Sequence, residues 1–284
     1  MYKTNVRNLN EFVRIDIEKI IESKNPKLRK ILPKFIINFL KRVIHQEDIN
    51  LLLEKYKDFK NYDFIRAILK EFNIKYEYYG LENIDRNKRY IFSANHPQGG
   101  LESLALMKIV KENFGECKFI VNDILLNLRN LKELFIPVSI FGKQTKDSLQ
   151  KIKDAFNSEI QILYYPAGLV SRKIKGKIKD LPWKKTFIKL AKEYKRDIIP
   201  VFIEASNSNF FYIFCKIRKM LGIKLNIEMI LLPSEMFKNK NTIIKFFFGT
   251  PYPYTFFENK YSDEYWANYM YNVVYSLKEK FKKI

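Results

Sequence analysis

Apolar residues recur early in the chain at helical spacing. Ile31 and Leu32, Phe35 and Ile36, Phe39 and Leu40, and Val43 and Ile44 form pairs four residues apart. That spacing puts them on one stripe of a helix. Arg29, Lys30, Lys34, Lys41 and Arg42 occupy the remaining faces. Pro26 and Pro33 mark a helix start or a kink. Residues 10–73 read as helical throughout. The basic amphipathic stretch within them fits a membrane interface or a packed helix with a solvated basic face equally well.

From Ile74 the pattern changes to short apolar runs alternating with helical ones. Strands are expected at 74–79, 89–94, 118–121, 134–140, 159–165, 198–204 and 242–249. Helices are expected at 101–113, 145–156, 183–195, 209–221 and 262–282. This order predicts an α/β fold with a mixed, mainly parallel sheet flanked by helices. The expected division is a helical N-terminal extension over 1–73 and one α/β domain over 74–284.

One stretch carries the chemistry: Ser93-Ala94-Asn95-His96-Pro97-Gln98-Gly99-Gly100-Leu101-Glu102. The run Tyr90-Ile91-Phe92 leads in as a buried strand, and Leu101 onward leads out as a helix. His96 therefore sits on a strand-to-helix turn, where an α/β sheet presents reactive groups. Glu102 falls in the first helical turn, where a carboxylate is favoured by the helix dipole. A histidine and a carboxylate so placed make a general base and its orienting partner. The alternative is a satisfied loop histidine beside an ordinary glycine turn.

Composition adds a partner. The 284 residues carry a formal net charge of +21. Such a balance implies nucleic acid, an anionic membrane surface or an acidic protein. Cys117 and Cys215 lack metal-ligand spacing and read as core residues rather than a disulfide. His45 and His96 are the only histidines, which excludes a histidine-rich metal site. The N-terminal residues lack the apolar core of a secretory signal. No run of ~18 uncharged apolar residues exists, so no spanning helix is expected. There is no Gly-x-Ser-x-Gly elbow and no Gly-x4-Gly-Lys-Ser/Thr loop.

Three further blocks follow the histidine turn. Tyr164-Tyr165-Pro166-Ala167-Gly168-Leu169-Val170-Ser171-Arg172 ends an apolar strand. Gly168 lets the backbone approach a ligand there, and Arg172 offers a planar fork for phosphate or carboxylate. Phe135-Ile136-Pro137-Val138-Ser139-Ile140-Phe141-Gly142-Lys143 is a strand running into a Gly-Lys turn. Asp197-Ile198-Ile199-Pro200-Val201-Phe202-Ile203 is a buried strand with a proline. Beyond it Glu204, Asn207, Ser208 and Asn209 are expected to cap the next helix, with Glu204 also able to line the site. The alternating Lys173, Lys175, Lys177 and Lys179 read as a solvated loop, or as a contact for anionic lipid or acyl carrier protein.

In order and spacing these blocks resemble the glycerolipid acyltransferase family, the lysophosphatidic acid type. The Asn-His-Pro-x-Gly-Gly-Leu turn resembles its bacterial lysophospholipid and aminolipid branch. The sequence departs from the family pattern in several places: Glu102 stands for an aspartate and lies one residue further from the histidine, Ala167 stands for a glutamate, Arg172 lies further along than the family arginine, and Lys143 is the nearest cation to a missing arginine. The resemblance implies a glycerol-phosphate acyltransferase-like fold over 74–284. It implies transfer of a fatty acyl group from a thioester, acyl carrier protein or coenzyme A, to the hydroxyl of a lysolipid.

His96 and Glu102 would be catalytic, with Asn95, Gly99, Gly100, Lys143, Gly168, Ser171 and Arg172 against the substrates. Backbone N–H groups near Gly99-Gly100 or Gly168 would meet the oxyanion. No metal or bound cofactor is required. The implied location is peripheral or monotopic, at the cytoplasmic face of the inner membrane. A lysophosphatidic acid-like lipid and a lyso-aminolipid both remain open as acceptor. So do two other readings: a basic nucleic-acid-binding protein, for which only charge speaks, and a non-catalytic membrane-binding relative.

Overall fold

The computed structural model describes residues 14–138, 145–223 and 226–281. The chain forms two compact units, one ending at Phe59 and one running from Lys60.

In the first unit the described residues form α1 (Ile17–Lys24), α2 (Pro26–Ile31), α3 (Lys34–Val43) and α4 (Gln46–Lys55). The expected continuous helical run is thus broken, and residues 10–13 of it lie outside the described residues. Pro26 opens α2 and Pro33 caps α3, as a residue with fixed φ and no N–H should. His45, at φ 52°, turns the chain between α3 and α4. The buried side chains of Gln46 and Asn50 accept the backbone N–H of Ile17 and Ile15. The apolar stripe splits. Ile44 is buried along with Ile37, whereas Ile31, Phe35 and Phe39 stand 76%, 69% and 61% exposed.

The second unit begins with α5 (Asn61–Glu71), β1 (Lys75–Tyr79), β2 (Tyr90–Ala94), α6 (Leu101–Phe114), β3 (Cys117–Asn122) and β4 (Phe135–Val138). It continues with α7 (Lys146–Asn157), β5 (Gln161–Tyr164), β6 (Arg172–Ile174), β7 (Lys177–Lys179), α8 (Thr186–Glu193) and β8 (Asp197–Glu204). It closes with α9 (Asn209–Met220), α10 (Leu232–Lys238), β9 (Ile243–Phe248) and α11 (Asp263–Phe281).

A seven-stranded sheet runs in the order β1-β9-β8-β2-β5-β3-β4. Every pairing is parallel except β8 with β9. The sheet is therefore mixed and mainly parallel, as the alternation predicts. β2 lies inside it, buried at every position. Its side chains alternate between two helix layers. Ile91 joins a core with Phe187 and Ile188 of α8 and Met270 and Val274 of α11. Phe92 points the other way, its ring 5.2 Å from that of Phe114 at the end of α6. Pro200 sits in the middle of β8, where its missing N–H would weaken a ladder. Its carbonyl still accepts from Gly249 N–H at 2.8 Å.

The lysine run is a correction to the expected loop. β6 and β7 form an antiparallel hairpin. Lys175 and Gly176 both take positive φ at its tip, as a two-residue turn between right-twisted strands requires. The alternation of lysine with isoleucine was a strand period, hidden by the charge. Helix α10 is a further element that the pattern did not predict. Both cysteines are buried and unpaired. No helix among the described residues is long and apolar enough to cross a membrane.

Candidate active site

The site is assembled by strand register. Ser93 of β2 pairs with Tyr164 of β5, so the residues just past the two C-terminal ends meet. The ring of Tyr165 lies beneath that of His96, centroids 4.0 Å apart and 23° from parallel. Tyr165 is itself held by the edge of Phe119 and by Ser103 Oγ, 3.1 Å from its hydroxyl. Burial pushes its hydroxyl pKa well up, with the nearby Glu102 charge adding to this. It therefore acts as a neutral platform.

His96 Nδ1 is 3.0 Å from Glu102 Oε1. Glu102 is completely buried. Its Oε1 also accepts the backbone N–H of Gln98 at 3.1 Å and Gly99 at 2.6 Å, and its Oε2 that of Gly100 at 2.8 Å. Burial is the largest influence on this carboxyl and would push its pKa up. The bond and charge of His96 and the Gly99 and Gly100 N–H groups outweigh it, so the pKa is lowered. Glu102 thus holds the turn together and orients the imidazole at once. Gly99 makes the wrapping possible. Its φ is +102°, and a Cβ there would lie 3.0 Å from Leu232 Cδ1 and Val170 Cγ2.

A second buried carboxylate braces the other side of the turn. Asp180 Oδ1 accepts the His96 backbone N–H at 3.2 Å, and its Oδ2 accepts Trp183 Nε1–H at 2.9 Å. Ser171 Oγ lies within hydrogen-bonding distance of both Asp180 Oδ1 and His96 O, and Ser171 N–H donates to His96 O at 2.7 Å. Burial raises the Asp180 pKa despite the bonds from Ser171 and Trp183. Sequence reasoning missed Asp180. The signal was there: it is the only acid between Glu159 and Glu193, a run that carries many lysines.

The other expected site residues have varied fates. Ser171 is at the site, as a brace of the histidine backbone. Asn95 is buried, its amide donating to Ile203 O at 3.0 Å and accepting from Ile203 N–H at 2.6 Å, like one more rung between β2 and β8. The N–H groups of Gly99 and Gly100 are taken by Glu102, and that of Gly168 by Tyr165 O at 3.0 Å. All three N–H groups are therefore already engaged within the protein.

Arg172 turns inward. Its guanidinium donates to Glu228 Oε1 at 2.6 Å and to the carbonyl of Val170. Arg218 Nε holds the other oxygen of Glu228 at 2.7 Å. Lys143 lies outside the described residues. Of the expected capping group, Ser208 caps α9, and Glu204 pairs with Lys278 at 2.5 Å. A cation that the sequence reading did not single out stands beside Gly168. Lys184 Nζ is 3.6 Å from where a Cβ would be, and no ion pair among the described residues takes it up.

The geometry offers one ring nitrogen of a rigidly held histidine to a substrate, with the other fixed on an ionised carboxylate. That is the arrangement of a general base. The lowered Glu102 pKa also has a pH signature. Its contribution to stability is fully present above the ordinary glutamate value of about 4.3 and is lost as pH falls through the lower folded value. Glu102→Gln should therefore lower the melting temperature most near neutral pH, and the deficit should shrink on acidification. Thermal unfolding of both proteins between about pH 3 and 7 tests this; a deficit that widens in acid contradicts it.

The sequence profile of a family described as "Acyltransferase" matches residues 19–283. A lyso-glycine lipid O-acyltransferase of Bacteroides thetaiotaomicron is 41% identical over 264 residues, covering 93% of this chain and 97% of that protein. A protein of the same name from Phocaeicola vulgatus is 39% identical, covering 93% of this chain and 95% of its own length. Among solved structures, the 1-acyl-sn-glycerophosphate acyltransferase of Thermotoga maritima superimposes with a TM-score of 0.47 at 15% identity. That match covers 88% of this chain and 97% of the other. With a family match over nearly its whole length and relatives this similar from end to end, the chain belongs to the acyltransferase family and is an enzyme of acyl transfer.

Proposed function

We propose that the protein transfers a fatty acyl group from a thioester to a hydroxyl of a lyso-glycine lipid. The observation that carries this reading is the His96–Glu102 pair, 3.0 Å apart on the turn after β2. His96, held with Nδ1–H on Glu102, removes the hydroxyl proton at Nε2 as the oxygen attacks the thioester carbonyl. Glu102 stabilises the imidazolium that forms. The tetrahedral intermediate collapses by expelling the thiolate, which takes the proton back. Acyl carrier protein and coenzyme A both fit as donors, and the acidic carrier protein also suits the +21 charge.

Glycine lipid as acceptor is supported by the names of the two relatives at 41% and 39% identity. It is supported too by the inward-turned Arg172, whose pairing with buried Glu228 leaves it poorly placed for a phosphate. Lys184 beside Gly168 supplies a positive charge for a carboxylate head group.

The same reading places the enzyme on the cytoplasmic face of the inner membrane, where its acceptor resides. Exposed Ile31, Phe35 and Phe39, four residues apart, fit insertion into an interface.

Purified protein supplied with acylated acyl carrier protein or acyl-CoA should acylate a lyso-glycine lipid faster than lysophosphatidate, followed by lipid mass spectrometry. A preference for lysophosphatidate would overturn the choice of acceptor. His96→Ala should cost roughly 10²–10⁴-fold in rate. Glu102→Gln should be similarly impaired, because an amide NH2 would face backbone donors. Glu102→Asp should keep part of the activity, since it retains the charge but is one methylene short. A folded His96→Ala protein with near-parental turnover would end the mechanism.

The double variant Phe35→Ser/Phe39→Ser should lose the salt-resistant part of its binding to anionic vesicles in a sedimentation assay. Retention equal to the parent would remove those side chains from the membrane contact.

A further inference from the structure

We infer that the outer face of α9 is a second membrane-docking surface, built for an anionic lipid bilayer and carried by the catalytic unit itself. The proposal rests on the reading of the acceptor as a membrane lipid. α9 is apolar on both sides. Its inner residues Phe211, Tyr212 and Cys215 are buried against Val170. Its outer residues Phe210, Ile213, Ile217 and Met220 recur every three or four positions and are 57%, 56%, 49% and 75% exposed. Leu221, just past the helix, is 69% exposed. Soluble proteins rarely leave so much contiguous apolar surface in water without a use for it.

The charges around the face select the occupant. From Ala205 to Ile227 the sequence contains no acidic residue. Lys216 and Lys219 are exposed on α9 itself. The β6–β7 hairpin adds Lys173, Lys175 and Lys177, and Lys173 Nζ reaches Asn209 Oδ1 at the start of α9 at 3.1 Å. A second copy of the chain would bring the same positive rim against this one and be repelled. A bilayer containing anionic lipid offers an apolar layer for the phenylalanine and isoleucines and negative head groups for the lysines.

The face is also tied to the catalytic turn. Asn207 Nδ2 donates to Gln98 O at 3.1 Å, Asn207 N–H donates to the Tyr212 hydroxyl at 3.0 Å, and Ser208 caps the helix. A helix lying in the interface at this point holds His96 close to the depth at which a lysolipid presents its hydroxyl.

The test uses the full chain and vesicles of phosphatidylglycerol mixed with phosphatidylcholine. Phe210→Trp adds an exposed reporter to a protein whose own Trp183 and Trp266 are buried. Its emission should move to the blue on these vesicles and be quenched by brominated acyl chains. The triple variant Phe210→Ser/Ile213→Ser/Ile217→Ser should bind the vesicles about ten-fold more weakly or worse. It should acylate acceptor dispersed in detergent at the parental rate.

A reporter that stays unshifted and unquenched on vesicles overturns the proposal. So does one that shifts with protein concentration in their absence, which would assign the face to another copy of the chain. The emission and vesicle-binding readouts are independent of acyl transfer, so a protein that docks but acylates no lysolipid would refute the functional reading and leave this one standing.

Discussion

A fully buried carboxylate is the constraint on which the site depends. Taking a charge such as Glu102 out of water costs several kcal/mol unless it is paired and hydrogen-bonded. Three backbone N–H groups and one imidazole supply that compensation. Their convergence on two oxygens fixes the path of residues 98–100. It demands a left-handed residue at Gly99 and leaves the ring of His96 a single orientation. The helix that follows, α6, is buried along much of its length, so the carboxylate is anchored to one layer of the fold. The histidine is anchored to the sheet.

Around this centre the protein uses two acids in opposite electrostatic settings. Glu102 receives more compensation than its burial requires and is held ionised. Asp180 receives less, and its pKa rises. The first partners the imidazole of His96, while the second ties that residue's backbone to Ser171 and Trp183. Through Tyr275, whose hydroxyl accepts the Asp180 N–H at 2.7 Å, this brace extends into α11. The final helix, far away in sequence, thereby reaches the histidine turn.

Much of this was legible in the sequence, for definable reasons. Strands buried on both faces, such as Tyr90–Ala94 and Asp197–Glu204, read directly as apolar runs. The histidine turn was legible because glycine, proline and acid sit at fixed offsets there. Three things were hidden. The period-2 signal of the β6–β7 hairpin was masked because lysine looks like loop. Asp180 acts on His96 across 84 residues through a backbone bond, which no local pattern records. Arg172 could be recognised as a fork, but Glu228, which captures it, lies 56 residues away. Asn95 misled for a related reason, since a polar residue beside the candidate base can be a rung of the sheet.

The ring of Tyr165 under His96 has a consequence for the traffic of protons. An imidazole clamped by a stacked ring on one face and a carboxylate at Nδ1 cannot flip to exchange its nitrogens. The proton that arrives at Nε2 must depart from Nε2. Under the proposed chemistry the incoming hydroxyl and the outgoing sulfur therefore share one doorway. Donor and acceptor must lie on the same side of the ring, crowded at a single atom, and neither can be handled at a separate station.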